Sequence, residues 1–344
     1  MTNLDMLLLK GPSGNVEDGL NELRYTILTQ GIPANNEGMS ELRMYIWLIL
    51  LNAPPIRTDI YLDLVRQGAS PAHSKIQNDA FRTFPSDPLF RRRVTQNSIT
   101  RVLNAVAWRL NDAHEARVNG WQSPPTLSEF GGSPDNATTT SRASLGAHTM
   151  SNTASSVVSG STATGTANDA EQIGYVQGMN VLCGPFLYVA RSEVEAFTGF
   201  ENLITRECPG YVRGAMDGVH KGVALVDRVL EAVDPKLYAH LLEKNLPAKL
   251  WAFAPVLTLS ACTPPLLEVL RLWDFLFAYG AHLNVLCIVA QLVLIRGSIL
   301  DSKNPGPLVQ KPPPLNAERI ISVATSFASK IPEDLYEDII HHAR

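Results

Sequence analysis

Basic charge is in short supply in this chain: 29 Lys and Arg stand against 33 Asp and Glu, a formal net charge of −4. A general nucleic-acid binder needs a basic excess to replace phosphate counterions, so that class is excluded. The one basic run, Arg91-Arg92-Arg93, reads as a solvated turn after the break at Pro88 rather than as a phosphate patch. Cysteine is also sparse: Cys183, Cys208, Cys262 and Cys287 are scattered, with no CxxC pair and no histidine at zinc-ligand spacing. A disulfide framework and a structural zinc site are therefore not expected, and a reducing compartment is. The eight histidines form no metal constellation, and His341-His342 reads as a frayed helix end. Long apolar runs are missing too. The longest, 285–295, is interrupted by Gln291 and falls short of the roughly 20 residues of a membrane span. Leu7-Leu8-Leu9 is too short for the apolar core of a secretory signal. A cytoplasmic chain without a transmembrane segment is the expectation. Gly11-Pro12-Ser13-Gly14 lacks GxxxxGKS spacing, so no nucleotide-binding loop is expected. No GxSxG elbow and no internal period appear, which argues against a serine hydrolase and a helical repeat.

What is present is an ordinary globular composition, 45% hydrophobic and 18% charged, long enough for a large core. One segment, 123–169, stands apart. It is dominated by Ser, Thr, Ala, Gly and Asn, with no aromatic residue after Phe130. Such composition cannot bury enough apolar area to offset the entropy of ordering, and it predicts a disordered insertion. The rest carries helical signals and no sustained period-2 alternation. Ser40 can cap a helix through Leu51, and Asp59 a second to Gln67, closed by Gly68. Ser74 with Gln77 forms a capping-box signature. Apolar stripes or runs predict helices over 97–110, 179–189, 266–277, 282–299 and 316–328. Leu225, Val226, Val229, Leu230 and Val233 make a further stripe, and Asp234-Pro235 opens the helix after it. The predicted class is all-α.

Two strings far apart in the chain carry chemistry: Ile76-Gln77-Asn78-Asp79-Ala80-Phe81-Arg82-Thr83-Phe84-Pro85 and Tyr175-Val176-Gln177-Gly178-Met179. On a helix, Ile76, Asp79 and Arg82 fall at i, i+3 and i+6, so neighbours in the series share a face. Ile76 can anchor that face in the core, and Asp79 can hold Arg82 by an ion pair. Pro85 drives Phe84 out of the helical region, so the helix should end at about Thr83 with Arg82 at its end. A guanidinium there is permanently charged and presents a planar fork of donors. Gln177 lies between Gly174 and Gly178, where a small backbone can approach another molecule closely. Its carboxamide both accepts and donates hydrogen bonds. Tyr175 and Met179 are expected to pack against the helix behind.

The two strings resemble the IxxDxxRTFP and YxQGM motifs of the TBC family, whose members accelerate GTP hydrolysis on small GTPases. Leu42-Arg43-Met44-Tyr45-Ile46-Trp47 resembles the family's opening RxxxW element, and Arg271-Leu272-Trp273-Asp274 its late RxWD element. Both lie on strongly apolar stretches, so Arg43, Trp47, Arg271, Trp273 and Asp274 are read as core architecture, with Arg271 and Asp274 as a buried pair. The resemblance covers roughly 39–300. Arg206-Glu207-Cys208-Pro209-Gly210-Tyr211 and the continuation from Tyr175 to Gly280 are most similar to the fungal branch that acts in mitotic exit and septation.

The resemblance implies a two-lobed TBC-type helical domain over 39–330, with lobes 39–220 and 221–330. A helical extension would precede it over 1–38, and a helix and tail would follow over 331–344. It implies that Arg82 and Gln177 are the catalytic pair supplied in trans, with Ile76, Asp79, Tyr175 and Gly178 in support. The partner would be a Ras-superfamily GTPase carrying its own GTP and Mg²⁺, so no cofactor belongs to this chain. A regulatory scaffold co-subunit and a place at the spindle pole body follow from the same branch. Two alternatives stay open: a catalytically silent TBC scaffold, and a Rab GAP of membrane traffic.

Overall fold

A computed structural model describes residues 3–12, 14–119 and 174–344. The insertion expected over 123–169 lies outside the described residues. Among those residues there are helices and no strands, as the absence of period-2 patterning predicts.

The chain opens with α1 (Asn3–Lys10) and α2 (Val16–Gln30), the second started by a reciprocal capping box between Asn15 and Asp18. Next come α3 (Arg43–Leu50), α4 (Thr58–Arg66), α5 (His73–Phe81), α6 (Pro88–Arg93) and the long α7 (Gln96–Val118). After the undescribed segment, α8 (Met179–Val189) and α9 (Glu193–Asn202) lead to α10 (Asp217–Val233) and α11 (Pro235–Glu243). A short α12 (Phe253–Leu257) precedes α13 (Leu266–Tyr279), α14 (Asn284–Leu294), α15 (Arg296–Asp301) and α16 (Gly306–Gln310). The last two are α17 (Ala317–Ser326) and α18 (Glu333–His341).

The helix boundaries differ from the expectations where short-range turn bonds take the capping groups. Ser40 accepts from the Leu42 N–H in a turn, and α3 begins only at Arg43. Asp59 sits inside the first turn of α4, paired with Arg57. The capping box of Ser74 and Gln77 does not form, because α5 starts at His73, where a turn bonds the His73 N–H to the Ser70 carbonyl. The expected helix 282–299 is divided at Ile295, which leaves helical geometry at φ −111° and ψ 17°. Arg91-Arg92-Arg93 is the last turn of α6 rather than a loop: Asp87 caps that helix and Pro88 occupies its first turn. Within it Arg93 donates to the Tyr188 and Ala190 carbonyls, and Arg92 pairs with Glu37. By contrast α8 has the expected bounds and Asp234 caps α11 as the sequence predicts, while Asn316 caps an α17 that ends at Ser326, two residues before the expected 328.

The core centres on Trp47 of α3, whose ring meets Phe277 at 5.0 Å, Phe186 at 5.5 Å and Trp273 at 5.7 Å. Beneath it lies a buried polar knot. Arg43 donates from Nε to Asp274 Oδ1 (3.0 Å) and from Nη2 to Oδ2 (3.1 Å), and Trp47 Nε1 donates to Oδ1 at 2.8 Å. Arg43 also donates to the Gly38 carbonyl. This corrects the expected partner. Asp274 pairs with Arg43, 231 residues away, whereas Arg271 faces outward and pairs with Glu268. Asp274 lies on the face of α13 that packs on α3, beside Trp273 and Phe277, whereas Arg271 lies off that face, so the buried carboxylate finds its cation on the facing helix. A smaller second cluster joins Leu4, Leu23 and Ile27 of α1 and α2 to Ile46 and Ala278, with Arg24 Nε donating to the Ala278 carbonyl at 3.0 Å.

The C-terminus is not frayed. His342 is buried, accepts at Nε2 from the Tyr211 hydroxyl (2.9 Å) and donates from Nδ1 to the Ile339 carbonyl (2.6 Å). A carbonyl can only accept, so the Nδ1 proton is required and the neutral ring's Nε2 is left as acceptor. The Gly210 N–H closes the tail by donating to the Ala343 carbonyl at 2.8 Å.

Candidate functional site

The first string builds the end of α5. Ile76, Asp79 and Ala80 are buried, and the helix stops at Phe81 with Arg82 as its C-cap (φ −99°, ψ 11°). That is two residues earlier than expected at Thr83. The cause is Phe84, which precedes Pro85 and adopts φ 43°, a left-handed conformation that ordinary side chains rarely occupy. Packing holds it there. The Phe84 ring meets Phe90 edge-on at 4.9 Å and lies against Gly184 of α8 so closely that a Cβ there would come within 2.4 Å of it. The sharp turn leaves the Arg82 side chain 55% exposed, projecting from the helix end.

Asp79 ties the two strings together. Its carboxylate, only 5% exposed, accepts from Arg82 Nη2 at Oδ1 (2.5 Å) and from the Tyr175 hydroxyl at Oδ2 (2.7 Å). Burial, with Asp79 alongside, pushes the Tyr175 hydroxyl well above its ordinary range, so it stays a donor at any working pH. A second set of bonds runs parallel. Asn180 Nδ2 donates to the Asp79 carbonyl (3.2 Å) and to Thr83 Oγ1 (2.9 Å), while Thr83 donates to the same carbonyl at 2.9 Å. Tyr175, expected to pack and to support the pair, has a half-buried ring whose hydroxyl links the two strings. Neither Thr83, expected only as a helix end, nor Asn180 was among the expected site residues. Asn180 is one residue past the motif, and only its position on the first turn of a helix could have signalled it.

Gln177 is exposed on the turn that leads into α8. Gly178 caps α8 at φ 109°, and a Cβ there would meet Leu257 of α12 at 2.7 Å. Glycine is needed twice over, for the backbone angle and for the close approach of α12. With Tyr175 bonded to Asp79, the Gln177 turn is fastened beside the helix end that presents Arg82. Both candidate side chains face solvent and neither points into the interior. Among the described residues no group of three or more His, Cys, Asp or Glu could hold a metal ion. No helix among them is long and apolar enough to cross a membrane.

Comparison with known proteins gives the family. The family model for the Rab-GTPase-TBC domain matches residues 165–300. Cell division control protein 16 of Schizosaccharomyces pombe is 38% identical over 340 residues, spanning 99% of this chain and 93% of its own length. Mitotic check point protein BUB2 of Saccharomyces cerevisiae is 31% identical over 346 residues, spanning 99% of this chain and 97% of its own. Among solved structures, the Ypt/Rab-GAP domain of Gyp1p superposes with a TM-score of 0.62 at 16% identity, covering 94% of this chain and 97% of that one; at that identity the likeness speaks for the fold. The chain belongs to the Rab-GTPase-TBC domain family and is similar along nearly its whole length to the yeast cell-division and mitotic-checkpoint proteins.

Proposed function

We propose that this chain activates GTP hydrolysis on a Ras-superfamily small GTPase by placing Arg82 and Gln177 beside the partner's bound GTP. The observation that carries the reading is the Asp79 carboxylate shared between Arg82 and Tyr175, which holds a cation and the turn bearing an amide at one exposed site. Phosphoryl transfer spreads negative charge over the γ-phosphoryl and its leaving oxygen, and a guanidinium inserted in trans stabilises it. Asp79 fixes Arg82 beforehand, which lowers the entropy lost on ordering the side chain in the complex. Gln177 accepts from the attacking water and donates to a γ-phosphate oxygen, the task that small GTPases assign to a glutamine of their own. Ile76 and Gly178 support the pair by seating α5 in the core and α8 against α12. GTP and Mg²⁺ come with the partner, and this chain supplies no cofactor.

Likeness to cell-division and mitotic-checkpoint proteins supports a role in mitotic exit or septation; a regulatory scaffold subunit and a place at the spindle pole body are further parts of the proposal. The division into an extension 1–38, lobes 39–220 and 221–330, and a tail 331–344 belongs to the same reading. The family model's own description, which names Rab GTPases, favours a second reading as a Rab GAP. A panel of GTP-loaded GTPases of both kinds, assayed in single turnover with the full chain, separates the two. Arginine fingers contribute about 10³ to 10⁵ in rate, so Arg82→Ala and Arg82→Lys should both lose most stimulation while folding normally. Gln177→Ala should lose nearly as much. Full stimulation by the Arg82 variants would sink the finger assignment, and normal turnover with Gln177→Ala would return that residue to a structural role. A silent scaffold would bind the GTPase and leave its hydrolysis unchanged.

A further inference from the structure

Phe81, the residue before Arg82, is 75% exposed, the most exposed large apolar side chain among the described residues. Nothing in the helix demands it. Phenylalanine is a mediocre helix former, and the last helical position makes little use of propensity. Its neighbours Phe84 and Phe90 pack against each other and against Gly184, but Phe81 makes no ring contact among the described residues. It stands instead on the rim of a cleft of about 620 Å³ that Arg82 also lines. The floor of that cleft is apolar, formed by the buried side chains Phe90, Val94 and Ile99. The far rim carries Arg91, an exposed cation that has no hydrogen-bond or ion-pair partner among the described residues.

We infer that Phe81 and this cleft form the docking site for the GTPase surface beside its bound nucleotide. The occupant is an apolar side chain of the partner, seated between Phe81 and the floor, with an acidic group of the partner opposite Arg91. Three observations commit the cleft to that occupant. It is continuous with the finger, since Arg82 belongs to its wall. Its exposed charges, Arg82 and Arg91, are cationic, which suits a partner that carries a triphosphate. An exposed aromatic beside a preformed apolar hollow matches the buried anchors that dominate protein interfaces. This assignment rests on the GTPase-activating reading and adds to it the element that sets affinity and partner choice. Phe81 acts by binding and Arg82 by chemistry, so the two should separate kinetically.

The test uses the full chain and the same panel of GTPases, loaded with GTP for turnover and with a non-hydrolysable GTP analogue for binding. Truncating an interface anchor of this kind weakens association by about tenfold or more. Phe81→Ala should therefore raise KM and the analogue-complex Kd by that factor, with saturating kcat within about twofold of wild type. Phe81→Leu should fall between. Arg91→Glu should raise KM most at low salt, the mark of a screened rim charge. Arg82→Ala should instead lower kcat with little change in Kd. Because Phe81 is so exposed, its variants should unfold at the wild-type urea midpoint, which guards against a folding artefact. Unchanged KM and Kd in Phe81→Ala, with Arg82→Ala inactive, would overturn the docking site and leave the finger standing. Full activity in Arg82→Ala with weakened binding in Phe81→Ala would do the reverse. Should wild type bind no GTPase of the panel, both assignments fall together.

Discussion

Asp79 matters more than its single negative charge suggests, because it is buried and serves two donors at once. Tyr175→Phe tests the link with the least disturbance, removing one oxygen and leaving the ring in place. The lost donor leaves Asp79 Oδ2 with one bond fewer in a buried position, a cost of about 1–3 kcal/mol. The variant should lower the urea midpoint and reduce stimulated GTP hydrolysis, because the Gln177 turn is then no longer fastened to the carboxylate that orients Arg82. Measuring both on one preparation checks the idea; a normal midpoint together with normal turnover would show the bond to be incidental. At this scale the sequence was legible over short range only. The Asp79–Arg82 pair follows from i, i+3 spacing on a helix. Tyr175 to Asp79 spans 96 residues and Arg43 to Asp274 spans 231. Spacing says nothing about such pairs, which is why Arg271 is the natural partner for Asp274 on paper and Arg43 is the real one.

Among the elements, α8 decides how tightly the finger turn can close. Gly184 sits where the Phe84 ring crosses the helix, and an added Cβ would fall 2.4 Å from Cε2 and 3.0 Å from Cδ2 of that ring. In an open helix Gly→Ala is stabilising by roughly 1 kcal/mol. Here overpacking of about 1–3 kcal/mol should outweigh that gain. Gly184→Ala should therefore lower the urea midpoint at unchanged m-value, and it should impair stimulation by shifting the turn that presents Arg82. Gly297 of α15 supplies the control, because its added Cβ would meet nothing within 4 Å. Gly297→Ala should be neutral or stabilising, and a matching loss in both variants would contradict the packing argument. Helix existence was readable where apolar stripes such as Leu225, Val226, Val229 and Leu230 have one physical cause, whereas the short α6 reads as a turn on paper and α9, α12 and α16 carry no such stripe signal. Helix ends were less so. At α5 the terminus was settled by Phe84 entering left-handed geometry against Gly184, a contact across 100 positions of sequence that no local signal reports.

For the whole molecule, the closure of α18 over the body predicts how stability should depend on pH. Burial depresses the His282 imidazole to about 4, with His342, Arg344 and His341 nearby adding to the shift, and it depresses His342 as well. The His282 Nε2 is buried without a hydrogen-bond partner, and its ring meets Tyr336 of α18 at 6.3 Å. In the unfolded chain the same imidazole titrates at about 6.5. Between pH 6.5 and 4 the unfolded chain therefore binds a proton that the folded chain refuses, and stability falls as the solution is acidified. For His282 alone the loss over that window is about 3 kcal/mol, complete near pH 4 and absent above pH 7. Three carboxyls oppose it: burial raises Glu207, Asp227 and Asp274, so the folded chain binds protons there before the unfolded one does. The net curve mixes both signs, and the comparison with a variant isolates the histidine. Urea unfolding of wild type and His282→Gln at pH 7.5 and pH 5.0 should show the smaller acid loss in the variant. Parallel losses in the two proteins would mean that the His282 ring reaches water in the native state and that α18 does not seal it.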